Sequence, residues 1–347
     1  MLDILCFEHN PARFSRQISD ITATSRNSTY SDLNVIRGSV VDETKQYATL
    51  DPNGWKLDGS HSLYDGAKFA FWGSTVASMS GSLSNNTITI TFQDEITLLE
   101  IVGITVVAEP NTPIMGATCE TYNEDTLITT DTYNGNTYIW QSVFQSEEEA
   151  KITKVVLRFT KTIPQKRLKL KNVFFGNSER ITEDKFYNVQ VLEEISISSD
   201  RIPANTLSFT MTTNQSYVDM LQSAYKYVTL FKNGVQYGGY YLDDVEKQND
   251  NKFTLSCVDI IGLLETMPYS DNLFISTEGS NITIQDILTS IFDGIDCYFS
   301  VTGINSSIIS IKFHSLTKRE ALAHLLLSTN IMCKKLRNGN LAFERLD

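Results

Sequence analysis

Four histidines and five cysteines are the nitrogen and sulfur ligands this 347-residue chain offers. They are His9, His61, His314 and His324, with Cys6, Cys119, Cys257, Cys297 and Cys333. None of them forms an HxxxH, HExxH or CxxC unit. No zinc or other metal site is therefore expected from their spacing. The cysteines are odd in number and far apart, which fits reduced thiols and not a disulfide framework. A thiol nucleophile at Cys257 would need His314 or His324 as its base. Cys257 alternates with Phe253 and Leu255, however, so a core position on a strand explains it better. His324 falls opposite the apolar stripe of an expected helix, which places it toward solvent.

Paired carboxylates could hydrolyse a glycosidic bond if about 5 Å apart. Asp58 with Asp65, and Asp243 with Asp244, are the pairs considered. Adjacent carboxylates on a strand face opposite ways unless a bulge intervenes. Gly234, Gly238 and Gly239 lie in an expected hairpin, so they make neither a P-loop nor a dinucleotide fingerprint. No catalytic residue, metal or cofactor is nominated, and the chain is expected not to be an enzyme. Two non-catalytic features remain. Trp55, Trp72 and Trp140, with Tyr64, Phe69 and Phe71 nearby, could stack on sugar rings as a carbohydrate platform, or could simply fill a core. Lys151, Lys154, Arg158, Lys161, Lys166, Arg167, Lys169 and Lys171 form a basic run. Alternation sets Lys169 and Lys171 on one strand face, where they would be solvated or would meet an acidic run such as Glu147–Glu149 of another subunit.

The whole chain is acidic, with 29 Lys plus Arg against 41 Asp plus Glu and a formal charge of -12. That balance argues against stable nucleic-acid binding. Hydrophobic residues at 41% and charged residues at 20% suit packed cores, and the length suits two or three domains. The longest apolar stretch, Leu98 to Ala108, is broken by Glu100 and Gly103 and falls short of the roughly 20 residues of a membrane span. The N-terminus lacks the basic start and apolar run of a secretory signal.

These residues need a scaffold, and the pattern supplies a mainly β, multidomain one. Asn86 to Phe92 alternates, with Ile88, Ile90 and Phe92 on one face and Thr87, Thr89 and Thr91 on the other. Leu98 to Ala108 and Thr153 to Phe159 add strands, and turns fall at Asp51-Pro52-Asn53-Gly54 and Tyr133-Asn134-Gly135-Asn136. The run between Tyr47 and Gly176 shows no helical period and suggests a β-sandwich of jelly-roll type. Beyond it, strands are expected at Val189–Ile197, Thr206–Thr212, Tyr227–Lys232, Gly239–Val245 and Lys252–Val258, with a hairpin turn at Asn233-Gly234. A short helix from Asp259 to Met267 follows, and together these suggest a small β-barrel. Thr283–Asp286 and Thr317–Glu320 are capping boxes opening helices. Strands between and after them, with a turn at Asn338-Gly339, make a small α/β module. The boundaries adopted are 1–40 for an N-terminal arm and strands, 41–178 for the jelly roll, 179–270 for the barrel and 271–347 for the α/β module.

The order of segments resembles a known family. YATLDPNGWKLDGS (Tyr47 to Ser60), FWGSTVAS around Trp72 and IPQKRLKLKNVFFG (Ile163 to Gly176) resemble a galactose-binding-like jelly roll of Gram-positive phage tail proteins. DKFYNVQVLEEISISSDRIPANTLSFTMTTN (Asp184 to Asn214), YVTLFKNGVQYGGYYLDDV (Tyr227 to Val245) and SCVDIIGLLE (Ser256 to Glu265) are similar to tail-hub barrels. LTKREALAHLLLSTNIMCKKLRNGNLAFERL (Leu316 to Leu346) resembles the α/β part of baseplate hub and tail-tip proteins. This resemblance implies a structural protein of a phage or phage tail-like particle, contractile or not, assembled in the host cytoplasm into the tail baseplate. It implies a homotrimer on the tail axis, joining tube to spike, with Asn233, Gly234, Asp243, Asp244, Lys169 and Lys171 as subunit-contact candidates. Hubs of this family carry two barrels per chain, whereas one is identified here and the sequence stops at Asp347. The expectation is that a partner completes the ring or that the chain continues. The alternatives are a receptor-recognition module gripping a surface glycan through Trp55, Trp72 or Trp140, and a cell-wall hydrolase.

Overall fold

A computed structural model describes residues 2–37, 48, 70–144, 150–194, 202–269, 272–277, 281–304, 307–308 and 310–345. The turn at 51–54, Trp55, Asp58, His61, Tyr64, Asp65, Phe69, the 147–149 acidic run and residues 195–197 of the expected 189–197 strand lie outside those residues. The protein is mainly β and divides into two compact units. The first comprises Met1–Arg180 with Phe231–Tyr237, the second Ile181–Leu230 with Gly238–Asp347.

The first unit is built from β1 (Leu2–Phe7), β2 (Ile18–Ala23), β3 (Phe71–Val76), β4 (Ser82–Thr97), β5 (Gly103–Ala108) and β6 (Ile114–Asn123). It continues with β7 (Thr126–Thr137), β8 (Ile139–Val143), β9 (Lys151–Lys161), β10 (Arg167–Phe175) and β11 (Ser178–Thr182). A five-stranded sheet, β2-β4-β9-β6-β7, faces a four-stranded one, β3-β10-β5-β8. The pairings within both sheets are antiparallel. Ile88, Ile90 and Phe92 of β4 enter a core shared with Leu157 of β9, Val106 of β5 and Leu168 of β10, while Thr87, Thr89 and Thr91 stay partly exposed. The alternation of this strand was legible because one sheet face is wet.

Two local expectations change. Leu98 to Ala108 is not one strand: Leu98–Ile101 is a helical turn, and β5 begins only at Gly103. Thr97 and Glu100 close a capping box on that turn, and Val102 leaves it at φ 54°. A second capping device opens α1 (Gln215–Ala224), a helix the periodicity did not suggest: Asn214 accepts from the Tyr217 backbone at 2.8 Å.

The second unit holds β12 (Phe186–Leu192), β13 (Thr206–Thr212), β16 (Lys252–Val258) and the parts of β14 (Tyr227–Lys232) and β15 (Val235–Asn249) that lie outside Phe231–Tyr237. They lie in the order β14-β15-β16-β13-β12. Leu207, Phe209 and Met211 stand on the buried face opposite Cys257, Leu255 and Phe253. Among the described residues β12 pairs only with β13, so the sheet is open where a closed barrel had been expected. Nothing in a strand's own alternation says whether the last strand finds the first.

Beyond it, α2 (Ile260–Glu265) is capped by Asp259, which accepts from Gly262 at 3.0 Å. Both expected capping boxes form, at Thr283/Asp286 before α3 (Ile284–Ile291) and at Thr317/Glu320 before α4 (Lys318–Thr329). These helices share a core with Phe313, Ile331, Leu341 and Phe343. Asn330 ends α4 in the left-handed conformation. Phe299–Thr302 and Leu341–Arg345 pair in parallel, and Ile331–Lys335 joins antiparallel, completing the α/β module.

Candidate functional site

Two of the three tryptophans proposed as a sugar platform are structural. Trp140 on β8 is only 2% exposed and packs edge-on against Phe159 and beside Tyr133, at ring separations of 6.3 and 6.1 Å. A ring with no free face cannot stack on a pyranose. Trp72 on β3 is also buried, with Tyr30 at 5.6 Å and the Lys169 ammonium 4.7 Å from its ring centre. Trp55 lies outside the described residues.

Most of the basic run is engaged within the chain. Lys151 pairs with Glu95 at 2.9 Å, Lys154 with Asp125 at 3.5 Å and Arg158 with Glu120 at 3.1 Å. Each is an exposed or half-exposed pair of the kind that adds little to stability. Lys169 and Lys171, nominated as subunit contacts, instead converge on one carboxylate. Their ammonium groups lie 3.1 and 3.2 Å from Glu109 Oε2, and the Lys171 side chain is 2% exposed. Strand β10 is covered on both faces from Leu170 onward. Phe7 and Phe231 pack on Phe174, and Gln236 reaches Asn172. The alternation assigned a wet face to residues that another layer covers. Burial opposes charge on Glu109, yet the two ammonium groups outweigh it and hold its carboxyl at about 2.

The Asn233-Gly234 tip is likewise engaged inside the chain. Both residues adopt positive φ, 53° and 75°, as a type I′ hairpin requires. Gly234 is buried against Pro110, and a Cβ there would lie 2.9 Å from the proline Cδ. Asn233 is exposed. Asp243 and Asp244 are exposed, and a register shift between Leu242 and Asp244 marks the bulge that frees them from simple alternation.

Other polar clusters are scaffolding. Buried Asp3 of β1 accepts two bonds from Arg180, at 2.9 and 2.7 Å, and one from the Tyr138 hydroxyl. Asp259 accepts from the Asn205 backbone at 2.7 Å and pairs with Lys335 at 3.2 Å. Arg319 holds the Ile202 carbonyl at 2.8 Å and Glu265 at 3.1 Å. These bonds fasten the backbone at 202–205 to the helices. Among the described residues no three His, Cys, Asp or Glu side chains converge as metal ligands. His9, His314 and His324 are exposed.

The thiols do not meet the needs of a nucleophile. Burial pushes Cys119, Cys257 and Cys333 up to about 12. A maleimide added to the folded protein at neutral pH is therefore expected to modify the buried Cys119 and Cys257 only slowly, and all five after unfolding in urea. Rapid modification of Cys257 in the folded state would contradict the assignment.

Among the described residues, β12 presents an open strand edge. On β12 the side chains of Tyr187, Val191 and Leu192 are 38, 36 and 54% exposed. This strand has no described partner on its outer side, and a bulge lies between Tyr187 and Gln190, with Asn188 at φ 53°. Exposed apolar residues on an open edge invite strand addition. The sequence placed a strand here, but nothing in it marked the strand as an edge. Among the described residues no helix is long and apolar enough to cross a membrane.

The chain matches no protein-family model and no curated protein. Among solved structures it is similar in part to three tail proteins. The 43 kDa tail protein of prophage MuSo2 from Shewanella oneidensis shares 19% identity over 42% of this chain and 47% of its own, with a TM-score of 0.31. The tail protein from Neisseria meningitidis shares 14% over 48% and 47%, with a TM-score of 0.34. A prophage tail protein from Listeria monocytogenes shares 13% over 49% and 47%, with a TM-score of 0.33. The matched part spans a little under half the length of each of these proteins.

Proposed function

We propose that this chain is a structural, non-catalytic component of a phage or phage tail-like particle, acting in the baseplate or tail tip as a hub that joins tube to spike through subunit interfaces. The observation that carries this reading is the open edge of β12, with Tyr187, Val191 and Leu192 presented to solvent. An assembly subunit satisfies the hydrogen bonds of such an edge across an interface. The segment order from Asp184 to Leu346, which resembles tail hubs, supports the same reading. So does the use of the ionisable groups: Glu109, Asp3, Asp259 and Arg319 are each engaged in an ion pair within the chain.

Electron cryo-microscopy of tail particles assembled with the chain tests the proposal. Three copies around the tail axis, between tube and spike, are expected. A peripheral position, or absence from every particle, overturns it. Glycan binding that is lost on replacing Trp55 would instead favour the receptor-recognition alternative.

A further inference from the structure

The sheet of the second unit has a second open edge. The β14–β15 ladder ends where the Leu242 N–H donates to the Lys226 carbonyl at 3.1 Å. From Asp243 to Asn249, β15 pairs with β16 on one side and with no described strand on the other. The Val245 N–H donates to its neighbour's carboxylate, Asp244 Oδ1, at 2.8 Å.

We propose that this open half of β15 receives β12 from a second copy of the same chain, so that copies join head to tail. The inference rests on the tail reading above and names the partner for its exposed edge. Three observations select this occupant. The two edges match in length, since β12 has seven residues and the open stretch 243–249 is as long. Their directions also match. β15, β16, β13 and β12 are successively antiparallel, so β12 runs opposite to β15. A rotation axis along the strands therefore sets β12 of one copy antiparallel beside β15 of the next.

Charge then chooses between the possible pairings. The β15 edge carries Asp243, Asp244 and Glu246 against Lys247 alone, so two such edges repel each other. Strand β12 bears no charge from Phe186 to Leu192, although Asp184 and Lys185 precede it and Glu193 and Glu194 follow it, so within the seven paired residues it sets no charge against the acidic edge. An interface of unlike edges is heterologous, and it closes into a ring when the rotation per copy allows.

Two variants test the pairing in the full chain. Val245→Pro removes the N–H that bonds the Asp244 carboxylate, and proline is tolerated on edge strands. The double substitution V191E/L192E places carboxylates on the other edge, against the acidic one. Sedimentation at high protein concentration should show the unaltered chain as a multiple of 39.1 kDa and each variant alone as a monomer. Each variant keeps one sound edge, so an equal mixture should give a dimer that grows no further. Circular dichroism matching the parent confirms that both variants fold. A parent that stays monomeric, a Val245→Pro chain that assembles like the parent, or a mixture that gives no dimer overturns the inference. Particles that incorporate Val245→Pro normally overturn it while leaving the tail reading intact. Rings that form in solution from a chain absent from all particles do the reverse.

Discussion

Replacing Glu109 with Gln is expected to destabilise the first unit by about 3 kcal/mol at neutral pH, in line with the roughly 3–5 kcal/mol that follows removal of one partner from a buried ion pair. The substitution leaves two ammonium groups, Lys169 and Lys171, facing one another without the carboxylate that lies 3.1 and 3.2 Å from them. The effect must depend on pH, and its sign is fixed. Glu109 titrates near 2 in the folded protein against an ordinary value of 4.5. A depressed carboxylate contributes stability that is fully present above 4.5 and is lost as pH falls from there through about 2. A separation of that size corresponds to about 3 kcal/mol. Urea unfolding of the parent and of Glu109→Gln at pH 7, 4 and 3 reads it directly. The gap between the two proteins should narrow with acidification, and a gap that ignores pH would remove the ion pair from the account.

Trp140→Ala is expected to cost about 3–5 kcal/mol, the range for removing a large aromatic from a packed core. The side chain is 2% exposed and lies between Tyr133 and Phe159 in the core shared by the two sheets of the first unit. A thermal melt followed by tryptophan fluorescence and circular dichroism gives the measurement. A sugar platform would behave oppositely, since an exposed stacking tryptophan can be removed with little loss of stability. An unchanged melting temperature for Trp140→Ala would therefore return that residue to the binding candidates. Trp72→Ala should fall between these extremes, because its ring is buried but meets a lysine and a tyrosine at one side.

These two residues mark the boundary between what was legible in the chain and what was not. The strand at Asn86–Phe92, the turn at Asn233-Gly234 and the helix starts at Thr283 and Thr317 could be read directly. Each is decided by residues within a few positions of one another: an alternation, a pair of residues that tolerate positive φ, a hydroxyl three residues from a carboxylate. The same local logic explains two misses. Thr97 with Glu100 and the Asn214 cap were present in the sequence, but an apolar run and a weak helical period hid them.

Other features had no local signal at all. Lys169 and Lys171 sit at alternating positions on β10, as expected for a wet face, and only the packing of Phe7, Phe231 and Gln236 over the adjoining positions shows that face to be dry. The partner that makes burial tolerable, Glu109, is 60 or more residues away in sequence. The same is true of strand edges, because alternation describes the two faces of a strand and is silent about its two sides. The sequence by itself therefore determined a mainly β chain, its turns and its helix caps, all set by short-range sterics and hydrogen bonding. Tertiary structure alone decided which charges are buried and which strand edges stay open, because both depend on what distant segments bring alongside.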